Sequence, residues 1–214
     1  MSKTTAPLLS FGASGQIGKT LVYGSWKGRS YARRYVIPSN PNSAAQQETR
    51  NTFSWLNNVY KFLPALAIEA WELYGNNSRF TARNGFIKRN LSDLRSESDL
   101  TNFIFSVSAG GGLAAATCTF TPGNDLVTVD ATAPSLPTGW TVDRFIAAAI
   151  RQQDPQDGTL YAVTAGEDAS STYQVILSGL ASAQTYVCGG WFKYDKGDGT
   201  FAYGAATMGT ALTT

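Results

Sequence analysis

The sequence contains no histidine among its 214 residues, and this absence excludes several reaction types at once. Histidine is the most common metal ligand and a frequent general acid or base in enzymes. A Ser-His-Asp triad and a Cys-His pair are both impossible without it. No other set of residues in the sequence forms a reactive constellation, so we predict a non-enzymatic protein with no cofactor and no bound metal.

Charged residues and long apolar runs are also scarce. Charged side chains make up 15% of the chain, whereas about 25% is usual. No run of about 18 apolar residues exists, so we predict no transmembrane helix and no membrane partner. The N-terminus lacks the apolar segment of a signal peptide, which favours synthesis in a reducing cytoplasm. There the two cysteines, Cys118 and Cys188, are expected to be free thiols.

Acidic residues are missing from the beginning of the chain, where the first is Glu48. Residues 1–98 carry 13 basic and five acidic side chains, a net charge of +8, whereas residues 99–214 have a net charge of −6. Two halves of opposite charge indicate different neighbours. We therefore predict a basic attachment domain over 1–98, a linker or first strand over 99–112, and a second domain over 113–214.

The first half has strand signals followed by helix signals. Residues 20–37 have the pattern of β-strands, with a turn at Gly24-Ser25, and Pro38 ends the run because proline cannot extend a strand ladder. Three helices are expected to follow. The first begins at a capping box on Ser43 and ends near Lys61, the second covers Ala65 to Tyr74 and is closed by Gly75, and the third is capped by Ser78. The prediction is a short β-ribbon followed by a helical hairpin or three-helix cluster.

The second half has the two-residue period of β-strands from about residue 102 onward. Asp157-Gly158 and Asp198-Gly199 are typical hairpin turns. Short strands separated by turn signals predict an all-β sandwich, so the overall fold class is α+β. The predicted strands cover 102–108, 113–121, 125–131, 142–151, 159–164, 172–178, 185–194 and 201–210.

A glycine-rich segment from Gly12 to Thr20 has the spacing of a nucleotide-binding motif. A dinucleotide fold or a P-loop needs a helix directly after the glycines, and a dinucleotide fold also needs an acidic residue about 20 residues further on. Here a predicted strand follows, and the first acidic residue is Glu48. We interpret the segment as a Gly/Ser loop that leads into a hairpin.

A leucine six residues before a tyrosine marks the second half. Leu180 and Tyr186 have the spacing that brackets the turn between the fifth and sixth strands of fibronectin type III domains, which the sequence over 113–214 resembles. The resemblance implies an immunoglobulin-like sandwich in which the tyrosine hydroxyl bonds back to the backbone. Such domains usually bind or space other domains and rarely catalyse.

A second pattern runs through residues 10–95. It consists of a Trp26-Lys27-Gly28 turn, an Arg-rich strand, the run from Pro38 to Gln46, Arg50, Trp71 and the run from Thr81 to Asn90. This resembles the NPxTxxQ-type pattern of small virion-associated proteins of tailed bacteriophages, with Ser43 in place of the usual threonine and Asn84-Gly85-Phe86 in place of a Gly-Tyr-Asn-type turn. The resemblance implies a structural protein of the virion, made in the host cytoplasm: a capsid decoration or head-associated protein, with a tail or adaptor component as the alternative.

Basic and aromatic side chains of the first half are the predicted partner interface. Arginine and tryptophan are enriched among residues that dominate binding energies. The expected partners are other virion proteins and further copies of this chain, so that residues 1–98 attach the protein and 99–214 project outward. Phosphate contacts and base stacking by the same residues make a nucleic-acid-binding protein the alternative. The predicted interface residues are Trp26, Lys27, Arg29, Arg33, Arg34, Arg50, Trp71, Arg83, Lys88 and Arg89.

Overall fold

The computed structural model describes residues 2–3, 14–37, 39–78, 80–95, 97–111, 113, 116–157 and 159–214. It is an α+β protein with three helices and antiparallel sheets, as the sequence predicts. The chain separates into two compact units, Met1–Asn42 and Ser43–Thr214. We call the first the β-ribbon unit and the second the body.

The β-ribbon unit is an antiparallel sheet in the order β1 (Ser2–Lys3), β4 (Arg29–Arg34), β3 (Leu21–Trp26), β2 (Gly15–Ile17). The turn between β3 and β4 lies at Lys27 and Gly28, not at the predicted Gly24-Ser25. Both turn residues have positive φ, 49° and 75°, as a type I′ hairpin requires. Gly24 instead continues β3, and Pro38, the predicted strand end, lies outside the described residues.

The body begins with three helices, α1 (Ala44–Phe62), α2 (Ala65–Ser78) and α3 (Ala82–Leu94). Their number agrees with the prediction, but their ends differ in detail. Ser43 is the N-cap residue of α1 without a side-chain cap bond, so the predicted capping box is wrong. The cap of α3 is Thr81, whose hydroxyl accepts a hydrogen bond from the backbone N–H of Asn84, and not the predicted Ser78.

Gly75 lies inside α2 and does not close it as predicted. Its carbonyl accepts a hydrogen bond of 3.0 Å from the backbone N–H of Phe80. A Cβ atom at Gly75 would lie 2.5 Å from the carbonyl oxygen of Phe80. This glycine therefore lets the chain after the helix pack closely against α2. A sequence pattern cannot distinguish a glycine with this role from one that ends a helix.

The remainder of the body is an immunoglobulin-like sandwich of two sheets. One sheet has the order β5 (Thr117–Gly123), β6 (Leu126–Thr132), β9 (Gln174–Ser178). The other has β8 (Val163–Asp168), β7 (Thr141–Arg151) and β10 (Thr185–Asp195), with β11 (Phe201–Tyr203) and β12 (Thr207–Leu212) both paired to β10. Counted from β5, the first, second and fifth strands of the sandwich (β5, β6 and β9) form one sheet. The third, fourth and sixth (β7, β8 and β10) form the other, together with β11 and β12, which act as an interrupted seventh strand. This is the division of an immunoglobulin-like fold.

Residues 102–108, predicted as a strand, are irregular apart from an adjacent bridge between Ala109 and Tyr203. The alternation that suggested a strand is real, since Phe103 and Phe105 are fully buried. Phe105 stacks on Trp191 with ring centroids 6.4 Å apart. Packing of single side chains against the sheet, and not strand pairing, explains the pattern.

The central sheet is covered on both faces, which unites the helices and the sandwich in one body. Successive residues of β7 alternate between two apolar clusters, Ile146 and Ala148 towards the helices, Phe145 and Ala147 towards the second sheet. Both central strands are continuously buried, over 145–150 in β7 and over 186–194 in β10. The predicted boundary near residue 98 is therefore corrected to Asn42–Ser43, because the change in charge at 98 does not coincide with a break in the core.

Candidate partner interface

The β-ribbon unit has no buried residue among those that the structure describes. Residues 14–37 and 39–42 are all exposed or half-buried. A small sheet draws its stability from an apolar face or from packing against another element. The side chains on the two faces of this unit therefore show what a partner would contact.

One face of the unit carries arginine and aromatic side chains, and we call it the aromatic-basic face. Successive residues of a strand point to opposite faces, so the register assigns each side chain. Tyr31 extends across the sheet over Gly24, where a Cβ atom would lie 2.7 Å from its hydroxyl oxygen. The glycine thus leaves the space that lets the tyrosine ring lie against the sheet. The facing pairs are Trp26 with Arg29, Gly24 with Tyr31 and Val22 with Arg33.

The opposite face is more apolar, and we call it the apolar face. Ile17 on β2 is paired with Leu21 on β3, and their exposed fractions are 44% and 41%. Tyr23 and Ala32 form the next pair on this face. Arg34, paired with Leu21, adds one charge at its end. The two faces of one sheet thus have different chemistry.

Four of the predicted interface residues come together in the β-ribbon unit. Trp26 has an exposed fraction of 71%, and Arg29 lies directly opposite it. Lys27 lies in the hairpin turn, and Arg33 lies two pairs further along the same face. Arg34 belongs to the same strand but to the apolar face. All of these residues are exposed, and their division between two faces does not follow from the sequence.

Four other predicted residues lie on the helices of the body, where all are exposed: Arg50, Arg83, Lys88 and Arg89. Arg83 donates from Nε to Asn57 Oδ1 at 2.8 Å. The Lys88 ammonium lies 4.5 Å from the centroid of the Phe80 ring. These contacts hold the side chains on the surface of the helices, in a unit separate from the β-ribbon.

Trp71 is not an interface residue, which corrects its assignment from the sequence. It is fully buried, and its Nε1 donates a 2.8 Å hydrogen bond to the carbonyl oxygen of Phe105. Its ring meets those of Tyr74 and Phe86 edge to face. A tryptophan on an amphipathic helix has the same sequence signature in a core as on a surface, so the pattern alone cannot separate the two.

The charge of the chain is divided at the same place as the fold. Residues 1–42 contain six basic and no acidic side chains, whereas residues 43–214 have a net charge of −4. None of the ion pairs found among the described residues involves the β-ribbon unit. The positive charge of the unit is therefore available to a partner.

A polar cluster in the body escaped the sequence analysis. Lys193 is 8% exposed and donates to Glu69 Oε2 at 3.1 Å, and the Tyr203 hydroxyl donates to the same oxygen at 2.5 Å. Burial works to raise the pKa of Glu69, but hydrogen bonds from Tyr203 and Lys193 outweigh it and hold that pKa below its usual value. A lysine within the apolar strand β10 is the signal that sequence reasoning had available.

This cluster links helix α2 to strands β10 and β11 and does not resemble a catalytic group. Burial and the hydrogen bond to Glu69 raise the pKa of Tyr203, so its phenol remains a donor near neutral pH. The lysine and tyrosine are both directed at the carboxylate. We therefore interpret the cluster as a link between two layers of the body.

The Leu180 and Tyr186 pair lies at the turn before β10. Leu180 is buried, and the Tyr186 hydroxyl accepts a 2.9 Å hydrogen bond from the backbone N–H of Ala181. This bond joins the beginning of β10 to the chain that precedes it, as in a tyrosine corner. We therefore interpret the pair as structural.

The glycine-rich segment forms a hairpin over its described part. Gly15–Ile17 is strand β2, Gly18 and Lys19 have positive φ in the turn, and strand β3 follows. Gly12 and Ala13 lie outside the described residues. A phosphate-binding motif would need a helix N-terminus after the glycines, and here a strand occupies that place.

The described part of the chain contains no group of three or more cysteine, aspartate or glutamate side chains placed to hold a metal ion. Cys118 and Cys188 are free, and burial raises the pKa of Cys118 to about 11 and that of Cys188 to about 12. Among the described helices, none is long and apolar enough to span a membrane.

Comparison with known proteins gives similarity to β-sandwich structures over about half of this chain. No family model and no curated protein matches the sequence. Each of three similar solved structures has a TM-score of 0.35: a computationally redesigned β-sandwich protein (18% identity, covering 47% of this chain and 90% of that chain), the fn3 domain of the human collagen alpha-1(XX) chain (15%, 51% and 88%), and a structure titled as a myokine (12%, 47% and 96%). The immunoglobulin-like assignment of the body follows from the strand order and register given above.

Proposed function

We propose that this chain is a non-enzymatic structural protein of a tailed-bacteriophage particle, a capsid decoration or head-associated protein present in many copies. The β-ribbon unit attaches it to another protein of the particle, and the body presents the immunoglobulin-like sandwich. The phage context comes from the resemblance of residues 10–95. The division of roles comes from the different construction of the two units.

The observation that carries this proposal is the absence of any buried residue among the described part of the β-ribbon unit. Ile17 and Leu21 leave more than two fifths of their surfaces exposed on the apolar face. At about 25 cal/mol per Å² of apolar surface removed from water, covering this face stabilises both the unit and the complex. A protein partner with an apolar surface and an acidic residue opposite Arg34 fits this face.

The body needs no such partner. Its helices and central sheet share an apolar core that includes Trp55, Trp71, Phe86 and Trp191, and a second core fills the sandwich. A chain of this size with two filled cores folds without help from a neighbour. The body is therefore the part that projects from the particle, while the β-ribbon unit makes the attachment contact.

Coexpression with the other particle proteins, followed by purification of particles and a mass-spectrometric count of copies, tests the proposal. The full chain is expected in the particle and a 43–214 fragment in the soluble fraction. Leu21→Ser should reduce incorporation, whereas the matched control Ile176→Ser should not, because Ile176 is a comparably exposed apolar residue of the body (57%). Incorporation of the 43–214 fragment at full copy number would contradict the proposal.

A further inference from the structure

We propose that the aromatic-basic face of the β-ribbon unit binds single-stranded nucleic acid. This face lies opposite the apolar face assigned above to a protein partner, so the two proposals are independent and one sheet serves both. This face combines basic side chains without acidic neighbours in the unit, a regular spacing of two arginines with Tyr31 between them, and an exposed indole, Trp26, opposite Arg29.

The charge of the unit fits a polyanion. Its six basic side chains have no acidic residue beside them anywhere within 1–42. Arg29 and Arg33 are exposed on the aromatic-basic face, and Lys27 is exposed in the turn at its end. Arginine binds phosphate through two parallel N–H donors, and each phosphate neutralised releases condensed counterions.

The spacing of these side chains follows a strand of nucleic acid. Arg29, Tyr31 and Arg33 alternate along β4 on one face, and two residues of an antiparallel strand advance about 6.8 Å. The two arginines are therefore about 14 Å apart along the strand, the length of about four stacked nucleotides at about 3.4 Å each. Tyr31 lies between them against the flat surface that Gly24 provides.

Trp26 supplies a surface for stacking. Its exposed fraction is 71%, which among the described large apolar residues only Ile37 exceeds. It faces Arg29 across the hairpin. Stacking on an indole requires a base that is not already paired within a duplex, which selects a single strand. An acidic protein surface would satisfy the arginines but would gain no comparable stacking on Trp26.

The test uses the full chain and a fluorescein-labelled oligothymidine, with anisotropy measured from low to physiological salt. Binding should weaken linearly on a log–log plot, and Arg33→Gln should lower the slope by about 0.7, the value per phosphate contact for a single strand. The matched control is Arg34→Gln, which removes the same charge from the neighbouring residue on the apolar face and should leave the slope nearly unchanged.

Stacking is tested by the emission of Trp26. Trp55, Trp71 and Trp191 are buried and Trp140 is half-buried in the body, so oligothymidine should quench Trp26 most strongly. Trp26→Ala should remove most of this quenching and weaken binding about tenfold. Unchanged far-ultraviolet circular dichroism of the full chain in each variant shows that the fold, including the β-ribbon unit, is retained.

Three outcomes would overturn the proposal. The first is no binding of oligothymidine at low salt. The second is equal affinity for heparin or polyglutamate, which would make the face a general polyanion site or a site for an acidic protein. The third is tighter binding of a duplex of the same length, which would exclude stacking of unpaired bases on Trp26.

Discussion

The β-ribbon unit and the body use the same residue types in opposite ways. Trp26 exposes 71% of its surface in the unit, whereas Trp55, Trp71 and Trp191 expose 1% or less in the body. Basic side chains of the unit have no acidic neighbours in its own sequence, whereas Lys193 of the body is paired with Glu69. Composition averaged over the chain hides this contrast, because the net charge of only +2 sums two unlike regions.

The contrast teaches that burial, and not residue type, separates a core from an interface. Aromatic and arginine side chains are enriched at interfaces, but tryptophan also fills cores. In this chain the hydrogen bond from Trp71 to Phe105 fixes one indole inside the body, and the hairpin geometry leaves another indole on the surface. Matched substitutions in the two units measure this difference directly.

The largest expected effect is in the core of the body. Trp71→Ala should lower the free energy of unfolding by about 3–5 kcal/mol, because it leaves a cavity among packed rings and removes the donor to Phe105. Trp26→Ala, the same change in the β-ribbon unit, should alter it by less than about 0.5 kcal/mol. Urea unfolding followed by circular dichroism compares the two. Equal losses would show that Trp26 is also part of a core.

A smaller effect is expected at the link between helix α2 and the central sheet. Glu69→Gln should cost about 1 kcal/mol, since the lost charge-assisted bonds from Lys193 and Tyr203 are discounted for a carboxylate side chain that is 43% exposed. The pKa of Glu69 is lower in the folded chain than in the unfolded one. Its contribution is therefore complete above the unfolded pKa and declines as the pH falls through the folded value.

The pH dependence of unfolding checks this sign. The difference in unfolding free energy between the parent and Glu69→Gln should be constant near neutral pH and should shrink under acidic conditions. Asp99→Asn, at a half-buried carboxylate of the body whose side chain accepts from the backbone N–H of Thr101, serves as a comparison outside the cluster. A difference that grows as the pH falls would contradict the direction of the Glu69 shift.

The tyrosine at the beginning of β10 should contribute less than the aromatic core. Tyr186→Phe removes the acceptor of the Ala181 N–H and should cost about 0.5–1.5 kcal/mol while the fold is retained. Leu180→Ala beside it should cost more, because it empties a buried site. Thermal unfolding by calorimetry measures both. A Tyr186→Phe variant as stable as the parent would show that water replaces this bond at no cost.

The sequence predicts the elements of this fold better than their grouping. Periodicity identifies three helices and most strands of the sandwich, since a half-buried strand alternates and a packed helix repeats every 3.6 residues. The grouping of helices with the sandwich was missed because β10 is buried on both faces over 186–194. The absence of alternation in such a strand indicates that both faces are covered but does not identify the element on the second face. The change of charge near residue 98 suggested a boundary that the core does not have.

The residue types of the candidate interface are predictable from the sequence, but their arrangement on the two faces of the sheet is not. Trp26, Arg29 and Arg33 stand out in a segment without acidic residues, and the structure places them on one face. Their separation from Arg34 depends on the register, which the position of the turn at Lys27-Gly28 sets. Lys193 within the apolar strand β10 indicates a polar partner, but the sequence does not identify Glu69 as that partner, because Lys193 and Tyr203 lie 124 and 134 residues from it along the chain.

The smallest expected effect concerns the glycine-rich hairpin of the β-ribbon unit, whose glycine spacing resembles that of a nucleotide-binding motif. NADH, NADPH and ATP at millimolar concentration should give no saturable 1:1 binding that depends on Lys19, as measured by isothermal titration calorimetry. Gly18 and Lys19 form a β-turn in which Thr20 bonds back to the carbonyl oxygen of Ile17, and strand β3 follows. Backbone N–H groups of a hairpin ladder are paired with the neighbouring strand, so they do not converge on a phosphate as those of a helix N-terminus do. Lys19→Ala should therefore leave the titration unchanged. A saturable signal with the parent that disappears in this variant would show that the turn holds a phosphate and that the hairpin is a nucleotide site.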